Sequence, residues 1–418
     1  MRQMKDSGIE WIGEIPQAWD VRKGKYLFAQ RNERGNNVKL QLLSPTQNYG
    51  VIPQDEYERL SGMSAVKLNE NINLKALKTI HKGDYCISLR SFQGGFEYSM
   101  NEGVISPAYQ VFYPTVKISG GYYKYLFKDK GFISVINSYA MSLRDGKNIS
   151  FEQFGNTVIP VPPLAEQERI AEFLDEKCAE VDALAGEIKE QIATLEEYKR
   201  SVITEAVTKG LDASVPMKNS GIEWIGEIPQ AWGIGRIGSY YSLRNIKVSD
   251  REYEPLSVTK QGVLPQLENV AKTDDNDNRK LVRKGDFVIN SRSDRRNSCG
   301  ISNYIGSVSL INTVLCPRAE MNGQYYNWLF HTEGFADEFY RWGHGIVDDL
   351  WTTNWRDMKK ISIPVPPLAE QERIAGFLDA KCAEVDALIA EKQNQLATLE
   401  EYKKSVIFEY VTGKKEVV

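Results

Sequence analysis

The stretch Ile159–Thr208 reads IPVPPLAEQERIAEFLDEKCAEVDALAGEIKEQIATLEEYKRSVITEAVT, and it recurs as Ile363–Thr412 with 39 of 50 positions identical. Its apolar residues recur at steps of three or four, which predicts a long helix with one narrow apolar stripe. The Pro162–Pro163 pair suits a helix start, and Gly210 and Gly413 follow the last turns. We therefore expect two helices of about 40 residues and roughly 60 Å each.

The two stripes lie at equivalent positions, except that Lys392 stands where the first copy has Ile188. A stripe of this length has to be buried, and the other copy is the nearest partner. We expect antiparallel packing under a pseudo-two-fold axis; the alternative is that each helix packs on its own globular block. The stripe residues are Ile170, Leu174, Cys178, Val181, Leu184, Ile188, Ile192, Leu195, Tyr198 and Val202, then Ile374, Leu378, Cys382, Val385, Leu388, Leu396, Leu399, Tyr402 and Val406.

A second repeat stands at the front of each half. Met4–Trp19 recurs as Met217–Trp232 with one change, Asp6 against Asn219. Its tryptophans and isoleucines are interpreted as packing anchors in preference to base-stacking residues, because identical anchors suit a shared docking role. The predicted domains are a first anchor and recognition domain (1–158), a first long helix (159–209), a second anchor and recognition domain (210–362) and a second long helix (363–418).

The blocks between anchor and helix, 20–158 and 233–362, share little sequence apart from a few landmarks. Short β-rich runs mixed with short helices predict an α+β fold for both blocks. Two blocks that share a fold but differ in their surface residues imply two sites with the same type of function and two different targets. The matching landmarks are Lys82-Gly83-Asp84 with Lys284-Gly285-Asp286, Tyr122-Tyr123 with Tyr325-Tyr326, and Gly131-Phe132 with Gly334-Phe335.

Composition excludes several classes of protein. The chain has 418 residues, of which 42% are hydrophobic and 26% charged, as expected for a soluble protein of two to four domains. It has no run of 18 apolar residues and no signal peptide at its start, which predicts a cytoplasmic protein that does not enter a membrane. Five cysteines without CxxC pairing and three scattered histidines indicate no structural metal.

Charge is unevenly distributed around a net value of −4. The block 20–158 holds 18 basic and 12 acidic residues, and the block 233–362 holds 18 and 16. The helix 159–209 holds 6 basic and 12 acidic residues. Basic blocks suit a polyanionic partner, although part of the asymmetry is the ordinary charged exterior of a long helix.

Catalytic motifs are missing from the sequence. It contains no phosphate-binding GxxxxGK[ST] loop and no Asn/Asp-Pro-Pro-Tyr run. Gly233–Gly238 matches GxGxxG, but it follows an anchor and its counterpart Asp20–Lys25 lacks the pattern, so we interpret it as a chance glycine cluster. The chain is predicted to be noncatalytic and to bind no cofactor.

The doubled motifs EIPQAW, PPLAEQERIA and EEYK(R/K)SVI, each around a variable block, resemble the specificity subunit of type I restriction-modification systems. The resemblance implies two target recognition domains joined by two long conserved helices in an antiparallel coiled coil. It implies that each domain reads one half of a bipartite site in double-stranded DNA. It also implies docking of two modification (methyltransferase) subunits, to which restriction subunits are added. A helix of up to about 60 Å would separate two readers by one or more turns of duplex.

Two stretches in the second block are candidates for reading DNA. Asn290–Asn297 contains Arg292, Arg295, Arg296 and Asn297, and arginine pairs bidentately with guanine. The stretch before the second helix contributes His344, Asn354 and Arg356. Trp351 and Trp355, four residues apart, are interpreted as one helix face in the core.

The first block has counterparts to both stretches. Arg90 aligns with Arg292, and Gln93 nearby is a candidate adenine reader. Arg144, Lys147 and Asn148 precede the first long helix in a Gly-containing loop that can approach a DNA backbone. Solvated loops are the alternative for all of these residues. Two other functions stay open: an enzyme with an unrecognised site, and a noncatalytic coiled-coil scaffold that binds acidic protein partners.

Overall fold

The computed structural model describes residues 2–35, 40–63, 76–88, 95–140, 149–266, 277–292, 295–345 and 351–417. The first half contains β1 (Met4–Ile9), β2 (Gly13–Pro16), β3 (Asp20–Lys23), β4 (Phe28–Arg31), β5 (Leu43–Thr46), β6 (Gly50–Pro53), α1 (Gln54–Ser61), β7 (Lys78–Ile80), β8 (Tyr85–Ser88), β9 (Glu97–Tyr98), β10 (Gly103–Ile105), β11 (Tyr109–Pro114), α2 (Gly120–Leu126), α3 (Lys130–Ala140), α4 (Phe151–Asn156), β12 (Val158–Val161) and α5 (Leu164–Lys209).

The second half follows nearly the same order. It contains β13 (Met217–Asn219), β14 (Glu227–Pro229), β15 (Gly233–Arg236), α6 (Ile237–Tyr240), β16 (Tyr241–Leu243), β17 (Lys247–Val248), β18 (Leu256–Thr259), β19 (Gly262–Pro265), β20 (Arg279–Val282), β21 (Phe287–Asn290), β22 (Cys299–Ile301), β23 (Gly306–Val308), β24 (Asn312–Pro317), α7 (Gly323–Phe330), α8 (Glu333–Arg341), α9 (Trp355–Met358), β25 (Ser362–Val365) and α10 (Leu368–Val411).

The chain forms two compact units that do not coincide with its two halves. Unit 1 comprises residues 1–188 and 394–418, and unit 2 comprises 189–393. Each unit therefore contains the start of one long helix and the end of the other. The start of each long helix packs on the globular block that precedes it, which is the alternative arrangement considered from the sequence. The end of the other long helix packs in the same unit.

The helix segments inside each unit run antiparallel, as predicted. In unit 1 the ring of Phe173 lies 4.4 Å from that of Tyr410, and nine residues later Asp182 accepts a hydrogen bond from Lys403 at 2.6 Å. The partner number falls as the residue number rises, which defines antiparallel packing. In unit 2 the corresponding contact joins Asp386 to Lys199 at 2.6 Å.

Part of the predicted stripe is wrong. Leu184, Tyr198, Leu388 and Tyr402 are between 41% and 47% exposed, whereas Ile170, Leu174, Ile374 and Leu378 are fully buried. The exposed positions are interspersed with buried ones, since Ile188 and Val406 are 6% and 7% exposed, so the apolar spacing predicts more buried positions than the packing provides. None of the helices in the described ranges is long and apolar enough to cross a membrane.

Each globular block is built on a four-stranded antiparallel sheet. The strand order is β4-β11-β8-β9 in unit 1 and β16-β24-β21-β22 in unit 2. Short helices cover one face of each sheet, and aromatic rings fill the space between them. Phe28, Phe112 and Phe127 are at most 2% exposed in unit 1, as are Phe287 and Phe330 in unit 2. Both blocks thus have the predicted α+β fold.

The anchors are buried, as their interpretation as packing residues requires. Trp19 and Trp232 are each 1% exposed. The indole N–H of Trp19 donates to Glu166 in the first turn of α5 at 2.9 Å, and Trp232 donates to Glu370 in the first turn of α10 at the same distance. An anchor therefore fixes the start of the long helix in its own unit.

The Lys-Gly-Asp landmarks close a tight turn before the central strand of each sheet. Gly83 has φ +93°, a conformation open to glycine but strained for other residues. Asp84 accepts two hydrogen bonds from the guanidinium of Arg31 at 2.7 and 3.0 Å, and one from the backbone N–H of His81. Unit 2 repeats the arrangement with Gly285 (φ +87°), Asp286 and Arg244 at 2.7 and 2.9 Å.

Candidate nucleic-acid interface

Two stretches of unit 2 that are about 50 residues apart in sequence meet beyond the end of β21. The backbone of Arg292 pairs with that of Thr352, and Thr352 also exchanges backbone hydrogen bonds with His344 at 2.9 and 3.0 Å. The N–H of Thr353 donates to the carbonyl of Ser291 at 2.9 Å. The two predicted candidate stretches therefore form one surface. We call it the arginine face; it consists of Ser291, Arg292, Arg295–Asn297, His344 and Trp351–Thr353.

Acidic residues of α8 hold one side of the arginine face. The guanidinium of Arg296 donates to Asp337 and lies 3.8 Å from Glu333. Asn297 donates its side-chain N–H to Glu333 at 3.1 Å and has φ +59°, which asparagine tolerates better than most residues. These contacts fix the loop and neutralise part of the charge of Arg296.

The other predicted residues differ in exposure. Arg292 is half-buried, and Arg295 is exposed. Asn354 and Arg356 are exposed at the start of α9. His344 lies 3.4 Å from Asp357, whose pKa is lowered by its hydrogen bond to Lys360.

A small cleft opens beside the arginine face. Phe330, Phe335 and Phe339 line its interior, and Arg292 and Arg295 line it on the cationic side. Nothing in the sequence pattern had predicted it, because its residues come from strand, loop and helix segments that are far apart along the chain.

Trp351 forms one wall of this cleft and does not belong to a helix. Its ring stacks on Tyr340 with centroids 5.7 Å apart and planes at 26°, and its N–H donates to the Tyr340 carbonyl at 2.9 Å. Helix α9 begins only at Trp355, which packs against the core of unit 2. The predicted common helix face of Trp351 and Trp355 is therefore wrong: the four-residue spacing spans an extended segment.

The candidate DNA-binding residues of the first block have no described position. Arg90, Gln93, Arg144, Lys147 and Asn148 lie outside the described residues. The helix that corresponds to α8 is α3, and it has Lys130 and Ser134 where α8 has Glu333 and Asp337. The acidic support of the arginine face thus belongs to unit 2.

Two further lysines could have been recognised from their equivalent positions in the two halves of the sequence. Lys78 and Lys280 each stand four residues before a Lys-Gly-Asp landmark. Lys78 donates to the carbonyl of Tyr109 at 2.6 Å, and Lys280 donates to that of Asn312 at 2.6 Å. Burial lowers the pKa of both ammonium groups. They tie neighbouring strands together, so a basic residue near the sheet is not by itself a DNA contact.

Acidic and sulfur ligands are not gathered into a metal site. In the described ranges, no three His, Cys, Asp or Glu residues lie close enough together to hold a metal ion. Cys299 is fully buried, and burial raises its pKa, so its thiol is not a ready nucleophile.

Comparison with solved structures places this architecture in a known fold. A chain from a structure of the assembly and conformational transition of a type I R-M system superposes with a TM-score of 0.73 at 15% identity, covering 96% of this chain and 99% of that one. The HsdS subunit from Thermoanaerobacter tengcongensis gives a TM-score of 0.52 at 16% identity, covering 96% and 98%.

Sequence comparison gives the same family. The specificity subunit assigned to the type I restriction enzyme MjaX of Methanocaldococcus jannaschii is 25% identical over 97% of this chain and 96% of its own length. Residues 12–194 and 250–398 match the type I restriction modification DNA specificity domain, one match in each half of the duplicated chain. With the doubled anchors, blocks and helices described above, this match shows that the chain belongs to the type I restriction-modification DNA specificity family.

Proposed function

We propose that each compact unit reads one half of a split site in double-stranded DNA. The chain itself catalyses nothing; it is the DNA-recognition component of its family. In the cytoplasm it brings methyltransferase subunits, two per chain, and restriction subunits to the site. The DNA contacts of unit 2 come from Arg292, Arg295 and the neighbouring polar residues His344, Asn354 and Arg356.

This proposal is supported by a contrast between the internal contacts, which are the same in both units, and the loops after the equivalent strands, which differ. The Arg–Asp turn and the Trp–Glu anchor recur in both units with distances that agree within 0.1 Å. The segments that follow the equivalent strands β8 and β21 share an Arg-Ser pair, Arg90-Ser91 and Arg292-Ser293, and differ in sequence from Phe92 against Asp294 onward. A duplicated frame with two different polar loops suits two readers of unlike half-sites.

Arg296 and Asn297 have a supporting role in this proposal. Their contacts with Glu333 and Asp337 hold the loop, so Arg292 and Arg295 can meet DNA without a large ordering cost. Residues Arg90, Gln93, Arg144, Lys147 and Asn148 are proposed to act for unit 1 by their position in the sequence.

The test is a block exchange followed by mapping of methylated sites in cellular DNA by single-molecule sequencing. The chain is expressed with its methyltransferase partner, either unchanged or with block 233–362 replaced by the corresponding block of a relative. We expect a split motif in which the exchange changes one half and leaves the other half intact. A change in both halves, or in neither, would contradict the assignment of one half-site to each unit.

A further inference from the structure

A β-hairpin covers the second face of each sheet. Along β21, Phe287 and Ile289 belong to the core under the helices, whereas Val288 points to the other face and packs with Leu256 and Val263 of the hairpin β18–β19. The hairpin β5–β6 has the equivalent place in unit 1. Both hairpins are therefore fixed to their sheets by buried apolar side chains.

The tip of each hairpin is closed by the same threonine–glycine pair. The hydroxyl of Thr46 donates to the carbonyl of Gly50 at 3.0 Å, and that of Thr259 donates to the carbonyl of Gly262 at 3.1 Å. Both glycines have positive φ, +70° and +108°. The same closure thus presents two different sets of side chains, all of them exposed. They are Gln47, Asn48 and Tyr49 in unit 1, and Lys260 and Gln261 in unit 2.

The hairpin tip of unit 2 lies beside the strand that leaves the arginine face. A Cβ atom built on Gly300 in β22 would lie 2.8 Å from the Cα of Gly262, so the two backbones are in contact. Gly300 is three residues after Asn297, which is about 10 Å at most along an extended chain. The tip and the arginine face can therefore reach the same few base pairs of a duplex.

The hairpin tip of unit 1 lies beside the equivalent strand, β9. Lys128 donates to the carbonyl of Gln47 at 3.3 Å and also to the carboxylate of Glu97 in β9. A Cβ atom built on Gly50 would lie 3.0 Å from the carbonyl oxygen of Tyr98 in the same strand. Both units thus hold a tip of different sequence at the same edge of the sheet.

We infer that these tips are a second DNA-reading element, which contacts adenine in the major groove through the side-chain amides of Gln261 in unit 2 and Asn48 in unit 1. The inference rests on the proposed function and adds residues to it. Glutamine and asparagine amides form two hydrogen bonds with N6 and N7 of adenine, and the major groove admits a two-stranded β-ribbon. Lys260 contacts a neighbouring phosphate. The closed turn and the packing of each hairpin keep the ordering cost of these contacts low.

Methylation of a set of duplexes tests this inference. The full chain, assembled with its methyltransferase subunits, is assayed on duplexes that carry every single base-pair change in the mapped site. At one A·T pair of the half-site read by unit 2, Gln261→Ala should lower the preference for adenine roughly 5- to 150-fold in kcat/KM and leave the other positions unchanged. Asn48→Ala should have this effect at one A·T pair of the other half-site.

Three further variants separate base reading from other contacts. Gln261→Glu replaces the amide by an acceptor that suits the N4 amino group of cytosine, so the preference at that position should move towards C·G. Lys260→Ala should weaken methylation equally on all duplexes and reduce its salt dependence. Glu254→Ala is the control, because Glu254 is exposed at the opposite end of the same hairpin. It should keep the wild-type preference at every position.

The outcomes are distinguishable. If Gln261→Ala and Gln261→Glu leave every preference unchanged, or if Gln261→Ala slows methylation equally on all duplexes, the tip reads no base and the inference is wrong. The split motif of the wild-type complex would then still support the proposed function. Absence of any sequence-dependent methylation by the wild-type complex would instead contradict the proposed function.

Discussion

The hydroxyl of Tyr122 donates a hydrogen bond at 2.7 Å to the backbone carbonyl of Val411, 289 residues further along the chain. In unit 2, Tyr325 makes the same bond to Val207 at 2.8 Å. Both tyrosines are fully buried. The last turn of each long helix is thus tied to the globular block of the other half of the sequence, which is why the compact units differ from the sequence halves.

Tyr122→Phe should destabilise unit 1 by about 1–2 kcal/mol. The substitution keeps the ring but leaves the Val411 carbonyl without its buried donor. Urea unfolding followed by hydrogen exchange of peptides from β8 and β11 would measure the change. Tyr325→Phe is the matched control: its effect should fall on β21 and β24, and an equal effect of both variants on both units would contradict the assignment.

Deletion of residues 394–418 should unfold unit 1 and leave unit 2 folded. Val406 and Val411 are 7% and 0% exposed in the core of unit 1, so their loss leaves a large cavity lined by apolar side chains. Limited proteolysis with mass spectrometry would show cleavage spreading through 2–188. Cleavage confined to the second block would show that the C-terminal segment belongs elsewhere.

Asp84→Asn should cost about 3 kcal/mol of stability, because Arg31 loses its charged partner while its guanidinium stays partly buried. Asp286→Asn should have a similar effect on unit 2 through Arg244. Thermal unfolding of the two variants and of the double variant Arg31→Met/Asp84→Leu provides the measurement. The double variant should recover part of the loss, since it leaves no unpaired charge.

The stability of unit 1 should fall as pH rises from about 4.5 to 7. Burial raises the pKa of Glu97 to about 7, although Lys128 beside it acts in the opposite direction. Across this window the unfolded chain loses the proton that the folded chain keeps, so deprotonation favours the unfolded state. Above pH 7 the effect is complete and the curve should level off.

Glu97→Gln removes the titrating group and should flatten this pH dependence. The measurement is the urea midpoint of unit 1 at half-unit steps between pH 4 and 8. A wild-type curve that rises through the window, or one that Glu97→Gln leaves unchanged, would assign the dependence to other groups.

Arg292→Lys should relax the specificity of one half-site at a single base pair. Lysine keeps the charge but lacks the planar fork that pairs with guanine, so discrimination should drop by about 1–3 kcal/mol at that position. Methylation mapping of the variant would reveal it. If affinity falls equally for all sequences, Arg292 contacts a phosphate.

Much of the fold was open to prediction because its signals are local. The proline pairs, the three- and four-residue spacing and the glycines at 210 and 413 marked both long helices; α5 ends at Lys209, and Gly210 has φ +79°. The anchors were recognised as packing residues because they are identical in both halves. The prediction that Leu184 and Tyr198 are buried is wrong, because burial depends on how a helix is rotated relative to its partner. The spacing of apolar residues alone does not define that rotation.

The candidate site was only partly predictable. The arginines of 290–297 form a dense run in the sequence. Their proximity to His344 could not be predicted, because it depends on the backbone pairing of Arg292 with Thr352, 60 residues further along the chain. Contacts with Glu333 and Asp337 changed the interpretation of Arg296 and Asn297. The cleft, with its Tyr340–Trp351 wall, had no sequence signal at all.

The sequence by itself determined the duplicated plan, the two long helices, the α+β blocks and the family, because repetition, helical periodicity and motif order are properties of the linear chain. Only the tertiary structure decided which segments form a unit, which arginines are paired with acids and where an aromatic cleft opens. Those outcomes depend on contacts such as Tyr122 with Val411 and Arg296 with Asp337, between residues that folding alone brings together.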